Sequence, residues 1–285
     1  MLNIKSESVE KAIIEVADQY ILPRFRALKS HDIHFKSDHS PVTIADIEAE
    51  SALQQRLFDL LPPSKLVGEE RFASDSGVLD SFLGEEPVWI VDPLDGTKAF
   101  IAGEPVLGVI VALAKQNQTI AAWLYDPTSR EFITAEKGAG AFYKGKRLSV
   151  LPVTQLNEMH GIIGSRIVDA YEDCYTSSGM PSDLDKPVFL RMLSACHDYA
   201  RLVVGEPHFS RTATQAHFHT WLKTCTPWDS AAGILIHEEA GGYTAHWNGE
   251  PFQPSHYGRG ILSAPDVDSW HALRDWIATF CQLPE

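Results

Sequence analysis

Apolar residues recur along the chain with two distinct periods. Val9, Ala12, Ile13, Val16, Ala17, Tyr20 and Ile21 follow steps of three and one, the stripe of an amphipathic helix, and Pro23 closes it. Ile44, Ile47, Leu53, Leu57, Leu60 and Leu61 predict a second helix. Thr43 is its N-cap, Asp46 follows three residues on, and Pro62-Pro63 ends it. Short apolar runs at 66–67, 88–91, 106–114, 120–125 and 132–135 read as strands, with Asp126-Pro127 and Gly138-Ala139-Gly140 as turns. Beyond Pro152, strands are expected at 161–164, 243–247 and 260–264, and helices at 194–204, 230–240 and 267–280. Residues 169–187, rich in Asp, Ser and Pro, read as a loop. Helices and strands mixed throughout predict an α/β (α+β) protein in two closely packed halves, 1–150 and 151–285.

Composition narrows the class. Of 285 residues, 44% are hydrophobic and 28 are aromatic (7 Trp, 8 Tyr, 13 Phe), which excludes a disordered chain. The longest apolar run, 106–114, contains Gly108 and falls far short of the roughly 20 residues a membrane helix needs. The N-terminus is polar and carries no apolar signal segment. Cys174, Cys196, Cys225 and Cys281 follow no framework spacing, so a reduced, cytoplasmic protein is expected. Lys and Arg number 24 against 38 Asp and Glu, a net charge of −14. That opposes direct nucleic-acid binding. It does not oppose binding a small phosphate through metal cations, which invert the local field.

The acids themselves are placed suggestively. Trp89-Ile90-Val91-Asp92-Pro93-Leu94-Asp95-Gly96-Thr97 is an apolar strand that delivers two carboxylates to its end. Pro93 bends the chain, so Asp92 and Asp95 can face the same point, Gly96 permits close approach of a ligand to the backbone, and Thr97 adds a hydroxyl. A helical turn starting there would offer free N–H groups to an anion. Gly68-Glu69-Glu70 also follows a short strand, and Trp228-Asp229 stands at a helix start. Taken singly, Asp229 reads as an N-cap, Asp46 as a first-turn acid and Glu69-Glu70 as a solvated pair. Together they would repel one another without a cation between them, and all-oxygen donors select a hard ion such as Mg²⁺.

In combination, Gly68-Glu69-Glu70, Asp92-Pro93-Leu94-Asp95-Gly96-Thr97, Trp228-Asp229-Ser230-Ala231-Ala232-Gly233 and the upstream Thr43-Ile44-Ala45-Asp46 resemble the signatures of the inositol monophosphatase family. These are metal-dependent, lithium-sensitive phosphatases. The resemblance implies a layered αβαβα sandwich. The half 1–150 would carry most metal ligands, and the half 151–285 would carry Asp229 and the substrate contacts. It also implies two or three Mg²⁺ ions, held by Glu69, Asp92, the Leu94 carbonyl, Asp95 and Asp229. Thr97 paired with Asp46, together with Glu69, would prepare the attacking water. The N–H groups of Gly96 and Thr97 would hold the phosphate of a small monoester. Ser194, Ala195 and Lys98 are the expected substrate contacts, with Gly164-Ser165-Arg166 a further candidate. A cytoplasmic homodimer is expected.

The resemblance leaves the substrate open. Members specific for inositol phosphates carry a glutamate seven residues before the last metal aspartate, where this chain has Leu222, followed by Lys223. Asp95-Gly96-Thr97-Lys98 resembles the branch that removes the 3′-phosphate of a nucleoside bisphosphate. The stretch 99–105 and Leu222-Lys223 resemble the histidinol-phosphate branch. The segment 208–221, with His208, Arg211, His217 and His219, reads as an extended polar loop reaching substrate rather than a zinc site. An aspartyl-phosphate mechanism is disfavoured, because its two aspartates are two residues apart whereas Asp92 and Asp95 are three apart. A protein-partner role in transcription, alongside catalysis, is the rival from another class.

Overall fold

A computed structural model describes residues 4–178, 186–204, 214–223 and 225–284. It begins with α1 (Ser6–Val16), which runs on through a π-helical turn, Ala17–Ile21, and a 3-10 turn, Leu22–Arg24. Pro23 thus sits inside the final turn rather than beyond it. A small hairpin follows, β1 (Ile33–Phe35) against β2 (Pro41–Thr43). Next comes α2 (Ile44–Leu60), whose Thr43 cap forms a reciprocal capping box with Asp46.

One sheet has seven strands in chain order: β3 (Lys65–Gly68), β4 (Val88–Asp95), β5 (Gly108–Lys115), β6 (Gln118–Asp126), β7 (Glu131–Glu136), β8 (Gly140–Tyr143) and β9 (Lys146–Arg147). β3 and β4 are parallel and all later neighbours are antiparallel. Two short helices lie at its ends, α3 (Glu69–Ser74) after β3 and α4 (Thr97–Ala102) after β4.

The smaller sheet has five strands. They are β10 (His160–Ile163), β11 (Val188–Leu190), β12 (Phe218–Trp221), β13 (Tyr243–Ala245) and β14 (Ile261–Ala264), in spatial order β11-β10-β12-β14-β13. Between and around these strands run α5 (Ser165–Ser178), α6 (Ala195–Val203), α7 (Pro227–Glu239) and α8 (Val267–Ala278).

Alternation along each strand sorts the side chains into layers. Trp89, Val91, Val109, Val111, Trp123 and Tyr125 face α1 and α2 in one core. Ile90, Ile110, Ala112 and Leu124 face the opposite way and meet α6 and α7, which are covered in turn by Ile162 and Ile261 of the smaller sheet. Ile163, Phe218, Leu262 and Ala264 point outward into a third core with Ile167 of α5 and Trp270, Leu273 and Ile277 of α8. The stack is therefore helix, sheet, helix, sheet, helix, the layered αβαβα sandwich. Because the large sheet is covered on both faces, its central strands read as continuous apolar runs rather than alternating ones.

Two expectations need correction. The first half of the supposed loop 169–187 is helical: α5 runs from Ser165 to Ser178. Its apolar residues Ile167 and Tyr171 are buried, and tertiary burial outweighs the Asp and Ser content. Residues 179–185 lie outside the described set. Likewise the end of the supposed polar loop, 218–221, is a central strand, and His219 is fully buried. His217 is half-buried, and its Nδ1 accepts the backbone N–H of His160. His208 and Arg211 lie outside the described residues.

Candidate active site

The decisive local feature is an irregularity in β4. Asp92 pairs with Ile110 and Asp95 with Gly108, so three steps on one strand oppose two on the other. In a regular strand, residues three apart face opposite sides. The bulge at Pro93-Leu94 cancels that, and both carboxylates turn to the inner face, where α6 and α7 arrive. Gly96 follows with φ of +88°, and a Cβ there would lie 2.4 Å from the Val106 carbonyl oxygen. Only glycine fits this turn.

Three elements bring acids to this point. Glu69 begins α3, Asp92 lies at the end of β4, and Asp229 is in the first turn of α7. One carboxylate oxygen from each lies within 4.8 Å of the others. At that spacing each charged pair repels by roughly 3 kcal/mol at an effective dielectric of about 20. Burial, with Glu69, Asp95 and Asp229 adding to it, raises Asp92 well above the ordinary carboxylate range. Burial and then Glu69 and Asp95 raise Asp229 to about 8. A donor set made only of oxygens, clustered and destabilised as anions, fits a hard divalent cation.

Asp95 is placed differently. Its Oδ1 accepts the N–H of Ala195 at 3.2 Å and its Oδ2 that of Cys196 at 2.7 Å, so this carboxylate caps α6 across the interlayer. It remains in the electrostatic field of Asp92 and Asp229. Leu94 is buried, and its carbonyl accepts the Thr97 hydroxyl at 3.1 Å. Its N–H donates to Asp92 Oδ1 at 2.9 Å.

Asp46 combines its two readings. It accepts the N–H and hydroxyl of Thr43 as a helix cap, and its Oδ1 accepts the Thr97 hydroxyl at 3.0 Å. Burial lifts it to about 6 against the lowering effect of these bonds. Ser194 and Ala195 are buried beside Asp95, whereas Lys98 is exposed on α4.

Two participants escaped the sequence reading. Lys36, at the end of the β1–β2 hairpin, bridges Glu69 at 2.6 Å and Glu70 at 2.8 Å and is itself largely buried. Glu69 and Glu70 push its ammonium upward, overcoming the opposing effect of burial. The one available signal was a lone cation seven residues before Thr43 in a strongly acidic chain. Glu50, one turn after Asp46 on α2, accepts the N–H groups of Glu70 and Arg71 and so fixes the start of α3. Gly68 makes room for it, since a Cβ there would lie 2.3 Å from a Glu50 oxygen.

A cavity of about 540 Å³ lies between the start of α5, β11 and the end of β12. It carries Arg166, Arg191 and Lys223 against the single acid Asp169, with Phe189 and Trp221 as aromatic wall. Two chain segments tie it to the acids: Met192 leads into Ser194 and Ala195 at Asp95, and Lys223 leads into the helix bearing Asp229.

The fold and the carboxylate set define a phosphoric monoester hydrolase. Comparison with known proteins agrees: residues 4–283 match the inositol monophosphatase family, and the chain belongs to it. It is 33% identical over 230 residues to inositol monophosphatase 2 of Solanum lycopersicum, covering 79% of this chain and 81% of that one. It is 28% identical to the Nus factor SuhB of Vibrio cholerae over 256 residues, 87% and 86% of the two chains. Among solved structures, the IMPase TM1415 of Thermotoga maritima superposes with a TM-score of 0.72 over 96% of this chain and 97% of that one, at 22% identity. No helix among the described residues is long and apolar enough to cross a membrane.

Proposed function

We propose that the protein is a Mg²⁺-dependent phosphomonoesterase acting on a small monoester by direct attack of water. The observation that carries this reading is the convergence of Glu69, Asp92 and Asp229 from three elements. Glu69, Asp92, the Leu94 carbonyl, Asp95 and Asp229 would hold the cations. Bound Mg²⁺ would supply charge neutralisation at the phosphoryl group and acidify its water. The chain's own contribution is orientation. Asp46 anchors the Thr97 hydroxyl, and this pair, with Glu69, lines up the attacking water. The N–H groups of Gly96 and Thr97, free of intrahelical partners at the start of α4, receive the phosphate oxygens. Ser194 and Ala195 flank the leaving group.

For that leaving group, the basic and aromatic cavity favours a body that carries further negative charge, such as a nucleoside bisphosphate. Histidinol phosphate brings an amine, which Arg166, Arg191 and Lys223 would repel. Inositol 1-phosphate brings hydroxyls and finds Leu222 where an acceptor would be required. The similarity to a Nus factor is compatible with an added partner role, but the full set of acids supports catalysis first.

A phosphate-release screen with Mg²⁺ tests this, comparing 3′-phosphoadenosine 5′-phosphate, inositol 1-phosphate and histidinol phosphate by kcat/KM. The bisphosphate should rank first, and Li⁺ should inhibit. A clear preference for histidinol phosphate would sink the cavity argument while leaving the phosphatase reading in place.

A further inference from the structure

Between the end of β11 at Leu190 and the start of α6 at Ala195 runs a strap, 191–194, with no regular secondary structure. It has no ladder or helix of its own to take up its backbone groups, so side chains must do so. Two residues inside α6 supply them. Both carboxylate oxygens of Asp198 accept the Leu193 N–H, at 3.0 and 3.1 Å. Arg201, one turn further on, donates from Nη1 to the Arg191 carbonyl at 2.8 Å. The two side chains also pair with each other at 3.5 Å, and both residues are almost fully buried. Taking two charges out of water costs more than one 3.5 Å contact returns, and an apolar pair could fill the same space. What the charged pair adds is a grip on the strap, with an acceptor for one of its N–H groups and a donor for one of its carbonyls. The strap joins two places. Arg191 and Met192 line the basic cavity. Ser194, at the other end, abuts the Gly96 turn, where a Cβ on Gly96 would come 3.4 Å from that of Ser194.

We infer that Asp198 and Arg201 are positioning residues for substrate selection, which hold the strap so that the Arg191 charge meets the leaving group at a fixed distance from the Gly96 turn. This rests on the reading of the cavity as the leaving-group site. Neither residue touches substrate. Their effect passes through Arg191, so it falls on a leaving group that carries a further anion and largely spares a neutral one. Slippage of a positioning element by about 1 Å can cost up to about a hundredfold in rate.

Steady-state kinetics with 3′-phosphoadenosine 5′-phosphate and with glycerol 2-phosphate, whose leaving group is uncharged, give a selectivity ratio of the two kcat/KM values. The double variant Asp198→Leu/Arg201→Met replaces the pair by apolar side chains, a change that buried ion pairs often tolerate. It should lower the ratio about tenfold, mainly by raising KM for the bisphosphate. Asp198→Asn keeps one acceptor and should lower the ratio by only about threefold. Arg191→Ala should lower it about tenfold through loss of a charge-assisted contact. Adding the apolar pair to Arg191→Ala should cost no more than about a further twofold, because all three residues act through one charge. A folded double variant whose ratio stays within about twofold of the native chain would overturn the inference, as would a full second loss on top of Arg191→Ala. A merely loosened fold would lower both substrates together and leave the ratio alone, which also counts against it. If near-UV circular dichroism shows that the double variant does not fold, a native ratio in Asp198→Asn overturns the inference instead. Arg191 is exposed, so an undiminished ratio in Arg191→Ala overturns it whatever the buried variants do. A native chain with no preference for the bisphosphate would overturn the cavity reading and this inference together, whereas a native preference that survives in the double variant overturns the inference alone.

Discussion

The inner helical layer meets two buried polar clusters that solve desolvation in opposite ways. At one end, Glu69, Asp92 and Asp229 crowd together with Asp95 beside them, and burial drives the pKa values of the three aspartates up. At the other, His219 on β12 and His237 on α7 are buried among Tyr199, Thr244 and Ser263, and burial drives both histidines down to about 3. Each cluster disfavours its charged form. The histidines answer by staying neutral, and His237 Nδ1 bonds Thr244, whose hydroxyl reaches Ser263. Single N–H and hydroxyl donors reach Asp92, Asp95 and Asp229, but they do not cancel the mutual repulsion of the acids, and the paired cation, Lys36, bridges Glu69 and Glu70. A cluster that stays neutral without a charge to place is architecture, even with both His219 nitrogens and His237 Nε2 unpaired among the described residues. A cluster whose repulsion its neighbours do not cancel is poised for a cation.

This contrast can be broken experimentally, most severely by chelation. Removing divalent ions should take phosphate release to background, and added Mg²⁺ should restore it; undiminished turnover in excess chelator would end the cation reading. Next, Asp95→Asn should lower kcat/KM by roughly a thousandfold, several kcal/mol of lost cation stabilisation. The metal-free melting temperature should not fall with it, because a repelling charge has been removed. A collapse of the metal-free fold would show instead that capping α6 is the residue's main work.

The histidine side is sharpened by acid. Both rings have folded values near 3 against an ordinary 6.5, so the unfolded chain binds more protons below 6.5. Their contribution is complete above about pH 6.5 and declines as the pH falls toward 3. Each costs up to about 1.4 kcal/mol per pH unit in that window. Urea titrations from pH 7 to 4.5 measure the slope, and His237→Gln should reduce it by one histidine's share. The smallest effect is expected at His219, neither of whose ring nitrogens has a hydrogen-bond partner among the described residues. His219→Leu should leave stability equal or raise it by about 1 kcal/mol at pH 7, since an unpaired buried polar group is removed. A loss of several kcal/mol would show that ordered water satisfies the ring.

Much of this protein was legible in the chain. The stripes of α1, α2 and α8, the apolar runs of the large sheet and the Thr43–Asp46 box are local patterns, and local periodicity fixes them. The identity of the acids was legible too, because strand ends and helix starts at Glu69, Asp92, Asp95 and Asp229 are marked by neighbouring Gly and Pro. What local pattern could not convey was facing. Pro93 allowed Asp92 and Asp95 to face the same point, but strand spacing alone would put them on opposite sides, and it is the bulge in the pairing of β4 with β5 that turns them together. Lys36 and Glu50 have no signature because their partners lie 20 to 34 residues away in the chain. The Asp-rich α5 and the buried strand at His219 depend likewise on surfaces supplied by other layers. Residue type and period decided which elements form and which chemistry they carry. Packing of the five layers decided which of those groups meet, because burial and Coulomb repulsion act between neighbours in space.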